Sequence, residues 1–234
     1  MKIIALIPSR SGSQRILDKN IKKLNNKPLL YYAIKSALDS KIFTKVVVST
    51  DSKKYAKIAN LYRAETPFLR PKKLSKSTSP DYEWVNHALQ FYKKKGENFD
   101  LFFILRPTNP FRTKKTILRA LKEFKKNKCD SLRAVEQCKQ HPYKMWKIKN
   151  NKLIPFKNLK IQGQPSYNVQ FKSLPKVYIQ NASLEISKVE VLKKYKSITG
   201  KTILPFLTNG NEGFDINYIE DFYYAESIVS KNKI

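Results

Sequence analysis

Residues 9–20 concentrate groups suited to holding a polyanion. Ser9, Arg10, Ser11, Gly12, Ser13, Gln14, Arg15, Lys19 and Asn20 fall in one polar stretch directly after the apolar run Ile3 to Ile7. Small residues let backbone N–H groups approach a phosphate, and Arg10, Arg15 and Lys19 are cations placed to neutralise it. The stretch lacks the third glycine of GxGxxG and the GK[ST] ending of the P-loop, so neither a dinucleotide dehydrogenase nor a P-loop ATPase is the first reading. The plain alternative is a loop of solvated surface charges.

A phosphate-holding loop needs a rigid element to deliver it, and the flanking pattern supplies one. Strand-length apolar runs alternate with helix-period segments: Ile3 to Ile7, then PLLYYAIKSALDS with Leu29, Leu30, Ala33, Ile34, Ala37 and Leu38 on one face, then Val46 to Val48 ending in Ser49, Thr50 and Asp51. SKKYAKIANLY reads as a helix capped by Ser52, residues 81–95 as a helix with Trp84, Ala88, Leu89 and Tyr92 in one stripe, LFFIL as a buried strand, and 114–126 as a helix before the strand SLRAVE. Such alternation predicts an α/β fold, a parallel sheet covered on both faces with ligand chemistry at the carboxyl ends of its strands. From 137 to 177 the rhythm fails. KMWKIKNNKLIPF predicts a hairpin turning at Asn150-Asn151, within an excursion that serves as a lid or as a dimerisation arm. The strand VYIQNASLEI, a helix near 188–195, the strand TILPFLT, a turn at 209–213, FDIN and a helix at 218–230 complete the chain.

Composition sets the bounds. With 234 residues and 41% hydrophobic content the chain supports one sizeable core, read here as a single domain over 1–234. No apolar run approaches the ~18 residues of a membrane span, which gives the expectation of no membrane partner. Cys129 and Cys138 lack CxxC spacing and are read as reduced thiols of a cytoplasmic protein. Forty-seven basic against 18 acidic residues give a net charge of +29, which raises nucleic-acid binding as a function. The cations, however, are mostly lysines spread along the whole chain, which favours a solvated surface and a field that speeds capture of anionic substrates.

Six collinear segments, IPSRSGSQRILDKNI, STDS, FLRPKKL, LRPTNPFR, HPYK and FDINYIEDFYYAE, resemble in order and rough spacing the acylneuraminate cytidylyltransferase family, the CMP-sialic acid synthetases and their relatives. The resemblance spans essentially the whole chain. It implies a Rossmann-like, mostly parallel sheet, a homodimer built through the excursion, and Mg²⁺-dependent transfer of CMP from CTP to the anomeric hydroxyl of a nonulosonic acid, with release of pyrophosphate.

The family's site residues carry over onto matching positions. The resemblance implies nucleotide binding by Arg10, Ser11, Gly12, Ser13, Gln14, Arg15, Lys19, Asn20, Asp51 and Arg70, with Arg10, Lys19 and Asp215 catalytic. It implies an acidic-sugar subsite from Arg106, Thr108, Asn109, Arg112, Lys144 and Asn181. The family's Asp-x-Asp metal motif reads Asp215-Ile216-Asn217 here, and extended alternation puts 215 and 217 on one side, able to face one ion. Capping of the final helix is the competing role for this pair, and helix capping or surface pairing for Asp51 and Arg70. Gln14 stands where relatives carry Lys, with Arg15 beside it as a substitute cation. Arg106 replaces a usual Gln and either pairs with a sugar carboxylate or signals a different acceptor. Ala182 replaces a Gly, and Glu185 an aromatic residue. The changes around the sugar side point to a nonstandard acceptor, and His141 is read as orienting the excursion. The rival readings are a relative using another nucleotide or a Kdo-like acid, a basic nucleic-acid-binding protein, and an inactive scaffold.

Overall fold

Hydrophobic periodicity and helix-end chemistry account for the elements. In the computed structural model, which describes residues 1–232, β1 (Ile3–Pro8) leads through residues 9–28 to α1 (Leu29–Ser40), followed by β2 (Lys45–Ser49), α2 (Lys53–Leu61), α3 (Asp81–Lys94), β3 (Leu101–Ile104), α4 (Lys114–Lys126) and β4 (Ser131–Gln137). Pro28 and Pro80 precede α1 and α3, where a fixed φ and a missing N–H cost nothing. Ser52 accepts from the Tyr55 N–H at the start of α2, and Thr113 forms a reciprocal capping box with Thr116 at the start of α4. In α3, Asp81 and Glu83 lie in the first turn and Lys93 and Lys94 in the last, each favourable to the helix dipole.

The chain divides into two compact units, Met1–Ala134 with Asn181–Ile234, and Val135–Gln180. The second contains β5 (Trp146–Lys149) and β6 (Lys152–Pro155), paired antiparallel through Asn150 (φ 50°) and Asn151 (φ 56°). Two consecutive left-handed residues are what a two-residue turn of matching twist requires, and Asn tolerates them. His141 is buried in this unit: its Nδ1 accepts from the Tyr143 N–H at 3.2 Å, and its Nε2 lies 2.9 Å from the Pro175 carbonyl. The chain returns through β7 (Tyr178–Lys188), α5 (Val189–Tyr195), β8 (Ile203–Leu207) and α6 (Ile219–Asn232).

The central sheet has the strand order β8-β4-β7-β3-β1-β2. β1 runs parallel to both β2 (Ala5 opposite Val46) and β3 (Ile4 opposite Phe102), whereas β7 is antiparallel to β3, with Glu185 opposite Ile104. The ends of β1, β2 and β3 therefore share one edge. On β7 it is Glu185, not the strand's end, that lies level with it.

Side chains alternate between two cores. Ala5, Ile7, Val46, Val48 and Phe103 pack with Leu30 and Ile34 of α1 and Ile117 and Ala120 of α4; Ile4, Leu6, Val47, Phe102 and Ile104 pack with Trp84, Val85, Ala88 and Tyr92 of α3. Strands buried on both faces read as unbroken apolar runs, which is why IIALI and LFFI carry no polar alternation. A third cluster joins Ile16 and Leu24 to Leu29 of α1, Ile216, and Phe222, Ala225 and Val229 of α6. Ile16 thereby anchors the polar loop. Burial of such a side chain stabilises by about 1.5–3 kcal/mol.

Candidate active site

The loop after β1 is held from several sides. Ser9 N–H donates to the Ser49 carbonyl at 2.9 Å, extending the β1–β2 ladder past the strand ends. Ser11 donates its N–H (2.8 Å) and hydroxyl (3.0 Å) to the two oxygens of Asp51, at the exit of β2. Ser13 N–H turns back to the Ser11 carbonyl at 2.9 Å, and buried Asn20 donates its amide to the Arg10 carbonyl at 3.2 Å. Asp18, in a left-handed conformation, accepts from the Tyr55 hydroxyl at 2.8 Å and pairs with Lys54 at 3.0 Å, fixing the far end of the loop to α2. These bonds hold the Asp18 carboxyl below its usual range, Tyr55 first and Lys54 next, with burial opposing. Gly12, Gln14 and Arg15 remain exposed.

The segment 215–221 closes onto this loop. Lys19 Nζ donates to the Ile216 carbonyl at 2.7 Å, the Ile216 N–H donates to the Thr108 carbonyl at 2.9 Å, and the Arg15 guanidinium stacks 5.2 Å from the Tyr218 ring centroid. Burial lowers the Lys19 pKa, Arg15 and Arg10 push the same way, and Asp215 and Asp221 oppose them. Arg10, Arg15, Lys19, Asp215 and Asp221 thus share one electrostatic neighbourhood, although up to 211 residues of chain separate them (221 − 10). Asp221 caps the start of α6, accepting from the N–H groups of Asn217 and Tyr218 at 2.8 Å each. Asp215 Oδ2 accepts from the Asn217 amide at 2.7 Å, while Asp215 Oδ1 is buried without a hydrogen-bond partner among the described residues. A buried orphaned carboxylate oxygen fits a hard cation, which takes one or two protein oxygens and completes its shell with phosphate and water.

From the β2 exit a chain of polar contacts crosses to the far side of β3. Arg70 donates from Nε to the Ser49 hydroxyl (3.0 Å) and from Nη2 to the Ser49 carbonyl (2.6 Å), and stacks 5.0 Å from the Trp84 ring centroid. Burial lowers the Arg70 guanidinium to about 10, with Asp51 and Asp81 opposing and Arg10 assisting. Trp84 Nε1 donates to Asp81 at 2.7 Å; Asp81 meets Arg106 Nη2 at 2.6 Å; the same nitrogen meets Glu185 at 2.7 Å; and Glu185 pairs with Arg133 at 2.8 Å. Burial would raise the Asp81 carboxyl, but Arg106, Trp84 and Arg133 together outweigh it and hold it below its usual range. Read from sequence as a partner for a sugar carboxylate, Arg106 is committed here to two protein carboxylates.

Arg112 is 2% exposed and donates from Nη1 to the carbonyls of Ser183 and Arg106, while Nε and Nη2 are buried and have no hydrogen-bond partner among the described residues; burial lowers it to about 9. Asn109 is fully buried, accepts from the Arg112 N–H at 2.9 Å and donates to the Glu212 carbonyl at 2.6 Å. Both therefore brace the 105–113 loop rather than face solvent. Asn181 donates to the Thr208 hydroxyl at 2.9 Å. Lys144, in the second unit, donates to the carbonyls of Tyr167 and Val169 at 3.2 and 2.8 Å. Sequence reasoning passed over Asp18, Asp81 and Arg133. Asp81 carries a local signal only as a first-turn acid of α3, and nothing near it in the chain points to Arg106.

A cytidylyltransferase family model matches residues 4–222. The chain is 32% identical to the CMP-N,N'-diacetyllegionaminic acid synthase of Legionella pneumophila over 238 aligned residues, covering 100% of this chain and 98% of the relative. It is 27% identical to the pseudaminic acid cytidylyltransferase of Campylobacter jejuni, over 99% of this chain and 98% of that protein. An N-acylneuraminate cytidylyltransferase of Escherichia coli is 43% identical over 123 residues, a match spanning 53% of this chain and only 28% of that longer protein. Among solved structures, a CMP:2-keto-3-deoxy-manno-octonic acid synthetase complexed with CTP superposes with a TM-score of 0.72 at 12% identity, over 99% of this chain and 100% of that one, a likeness of fold.

Proposed function

The chain belongs to the cytidylyltransferase family, and on that premise we propose that it transfers CMP from CTP to the anomeric hydroxyl of a nonulosonic acid. The acceptor hydroxyl, losing its proton to solvent, attacks the α-phosphorus of CTP, the bond to the bridging oxygen of the β-phosphate breaks, and pyrophosphate leaves. The observation that carries this reading is the closure of segment 215–221 onto the loop after β1, which gathers Arg10, Arg15 and Lys19 beside Asp215. A triphosphate laid across that loop meets three cations and the exposed turn at Gly12, and charge developing on the departing pyrophosphate is met by groups already in place. Arg15, held over Tyr218, stands in for a cation at position 14. Asp215, assisted by the Asn217 side chain, would hold Mg²⁺. Bound there, the ion would neutralise phosphate oxygens and polarise the α-phosphorus.

The acceptor end lies along β7 and the 105–113 loop in this reading. Its charge is balanced internally: Arg106 and Arg133 face Asp81 and Glu185, so the acceptor is selected against a neutral, hydrogen-bonding wall rather than a bare guanidinium. The names of the similar proteins, which specify legionaminic, pseudaminic and neuraminic acids, support a nonulosonic acceptor. We further propose a cytoplasmic homodimer joined through the second unit. The exposed Trp146, Ile148, Leu153, Ile154 and Phe156 of its hairpin region support an apolar contact with a second copy. Light scattering gives the assembly directly, and a monomeric mass would remove that part.

Pyrophosphate release assayed with the four nucleoside triphosphates against a panel of nonulosonic acids and Kdo tests the reaction. Release with CTP and a nonulosonic acid is expected. Release only with Kdo or with another nucleotide would reassign the substrate, and none with any pair would sink the enzymatic reading.

A further inference from the structure

The resemblance implies that Asp51 lines the nucleotide site, where relatives use polar groups to read base and ribose, with helix capping or surface pairing as its competing role. From its geometry we propose instead that Asp51 is a positioning residue for the triphosphate, acting through Ser11 and making no contact with nucleoside. This proposal rests on the CTP reading above.

Both carboxylate oxygens of Asp51 are directed at a single residue 40 positions away. Oδ1 takes the Ser11 N–H at 2.8 Å and Oδ2 takes the Ser11 hydroxyl at 3.0 Å. An ionised acceptor bound to an amide and a hydroxyl together fixes both the backbone and the side chain of that residue. With Ser11 fixed, Ser13 N–H folds back to the Ser11 carbonyl at 2.9 Å, and the turn presents Gly12 outward with no atom of the described residues within 4 Å of where a Cβ would stand. That open face is where a phosphate can approach the backbone closely.

Asp51 itself stands on a stiff platform. The Ser9 N–H and Arg70 Nη2 both donate to the Ser49 carbonyl, the Arg70 N–H donates to the Thr50 carbonyl at 2.7 Å, and the Ser52 N–H donates to Thr50 Oγ1 at 3.2 Å. Arg70 is nine-tenths or more buried and binds both the hydroxyl and the carbonyl of Ser49, two residues before Asp51, which stiffens the strand exit that carries the acid. The loop is thereby pinned before ligand arrives. Without the pin, the ordering entropy of the turn would be charged against triphosphate binding.

Binding of CTP, CMP and cytidine to wild type, Asp51→Ala, Asp51→Asn, Ser11→Ala and the Asp51→Ala/Ser11→Ala pair tests this. Asp51→Ala should weaken CTP by about tenfold or more, leave cytidine within about twofold, and keep the preference for CTP over UTP. The double variant should bind CTP no worse than Asp51→Ala alone, and Asp51→Asn, which keeps an acceptor for the Ser11 N–H, should restore part of the affinity. Amide hydrogen exchange at residues 11–13 should quicken in Asp51→Ala while the thermal midpoint stays near that of wild type. Equal weakening of CTP and cytidine, or an altered C-to-U preference, would overturn the proposal and return Asp51 to base or ribose reading. Unchanged exchange at 11–13 would overturn it independently of any nucleotide. Wild-type protein that binds no triphosphate would instead bring down the parent reading.

Discussion

Glu185→Ala is the substitution whose cost the structure specifies best. The Glu185 side chain is 8% exposed and lies between two guanidinium groups, 2.7 Å from Arg106 Nη2 and 2.8 Å from Arg133 Nη1. Removing one member of a buried ion pair costs about 3–5 kcal/mol, because the partner is left dehydrated and uncompensated. Here that figure is reduced. Arg106 keeps Asp81 at 2.6 Å, Arg133 keeps the Thr199 hydroxyl at 3.1 Å, and the two side chains are 27% and 18% exposed, so water compensates part of the loss. A destabilisation of about 2–3 kcal/mol follows, or roughly 4–12 °C in thermal midpoint for a chain of this size. Arg106→Gln alone should also destabilise, since it leaves Asp81 and Glu185 facing each other. The double variant should cost less than the sum by about 1–3 kcal/mol, because the Arg106–Glu185 pair is lost only once and Asp81 no longer faces an uncompensated Glu185. Urea unfolding followed at Trp84, whose indole donates to Asp81, reports on the same cluster. A loss below about 0.5 kcal/mol for Glu185→Ala, the level of an ordinary surface change, or strict additivity in the cycle would refute the buried network.

Three further outcomes are expected. Asp81 has a folded pKa held below its ordinary value, so its contribution to stability is present above the unfolded carboxylate pKa and is lost as pH falls through the folded one; Asp81→Asn should be less stable than wild type at neutral pH and converge with it below pH ~4, and a gap that persists in acid would contradict the assignment. Arg15→Ala should raise the KM for CTP, and Gln14→Lys in the same background should restore it; unchanged KM and kcat would refute the substitution of one cation for the other. Asp215→Ala should reduce turnover by orders of magnitude and abolish its Mg²⁺ dependence, and near-normal activity would remove Asp215 from the metal site.

What the sequence made legible follows from range. Apolar periodicity is a local property, so the alternation of strands and helices, the α4 boundaries at Lys114 and Lys126, and the Asn150-Asn151 turn were all readable from short windows. The antiparallel entry of β7 was not, because direction within a sheet depends on where the chain returns after the second unit. The cation loop after β1 carried its own signal in composition. Its closure by segment 215–221 did not, since Lys19 and Ile216 are 197 residues apart and only the family resemblance joined them. The partners of Arg106 were hidden for the same reason: a cation in a loop looks free until Asp81 and Glu185, 25 and 79 residues away, are seen to pair with it. Arg112 and Asn109 were read as substrate groups; in the fold both also bind backbone carbonyls, Arg112 those of Arg106 and Ser183 and Asn109 that of Glu212. Residue type alone does not distinguish a polar group that serves ligand from one that satisfies buried backbone.

Transfer of label from CTP carrying the isotope at the α-phosphate, in the presence of Mg²⁺ and each acid of a nonulosonic panel, is the decisive measurement of cytidylyl transfer. A labelled CMP–sugar conjugate is expected for at least one acid, with pyrophosphate formed in equal amount and little transfer from labelled UTP. Label that stays in CTP with every acid, or that appears only as free CMP regardless of the acid supplied, would contradict it.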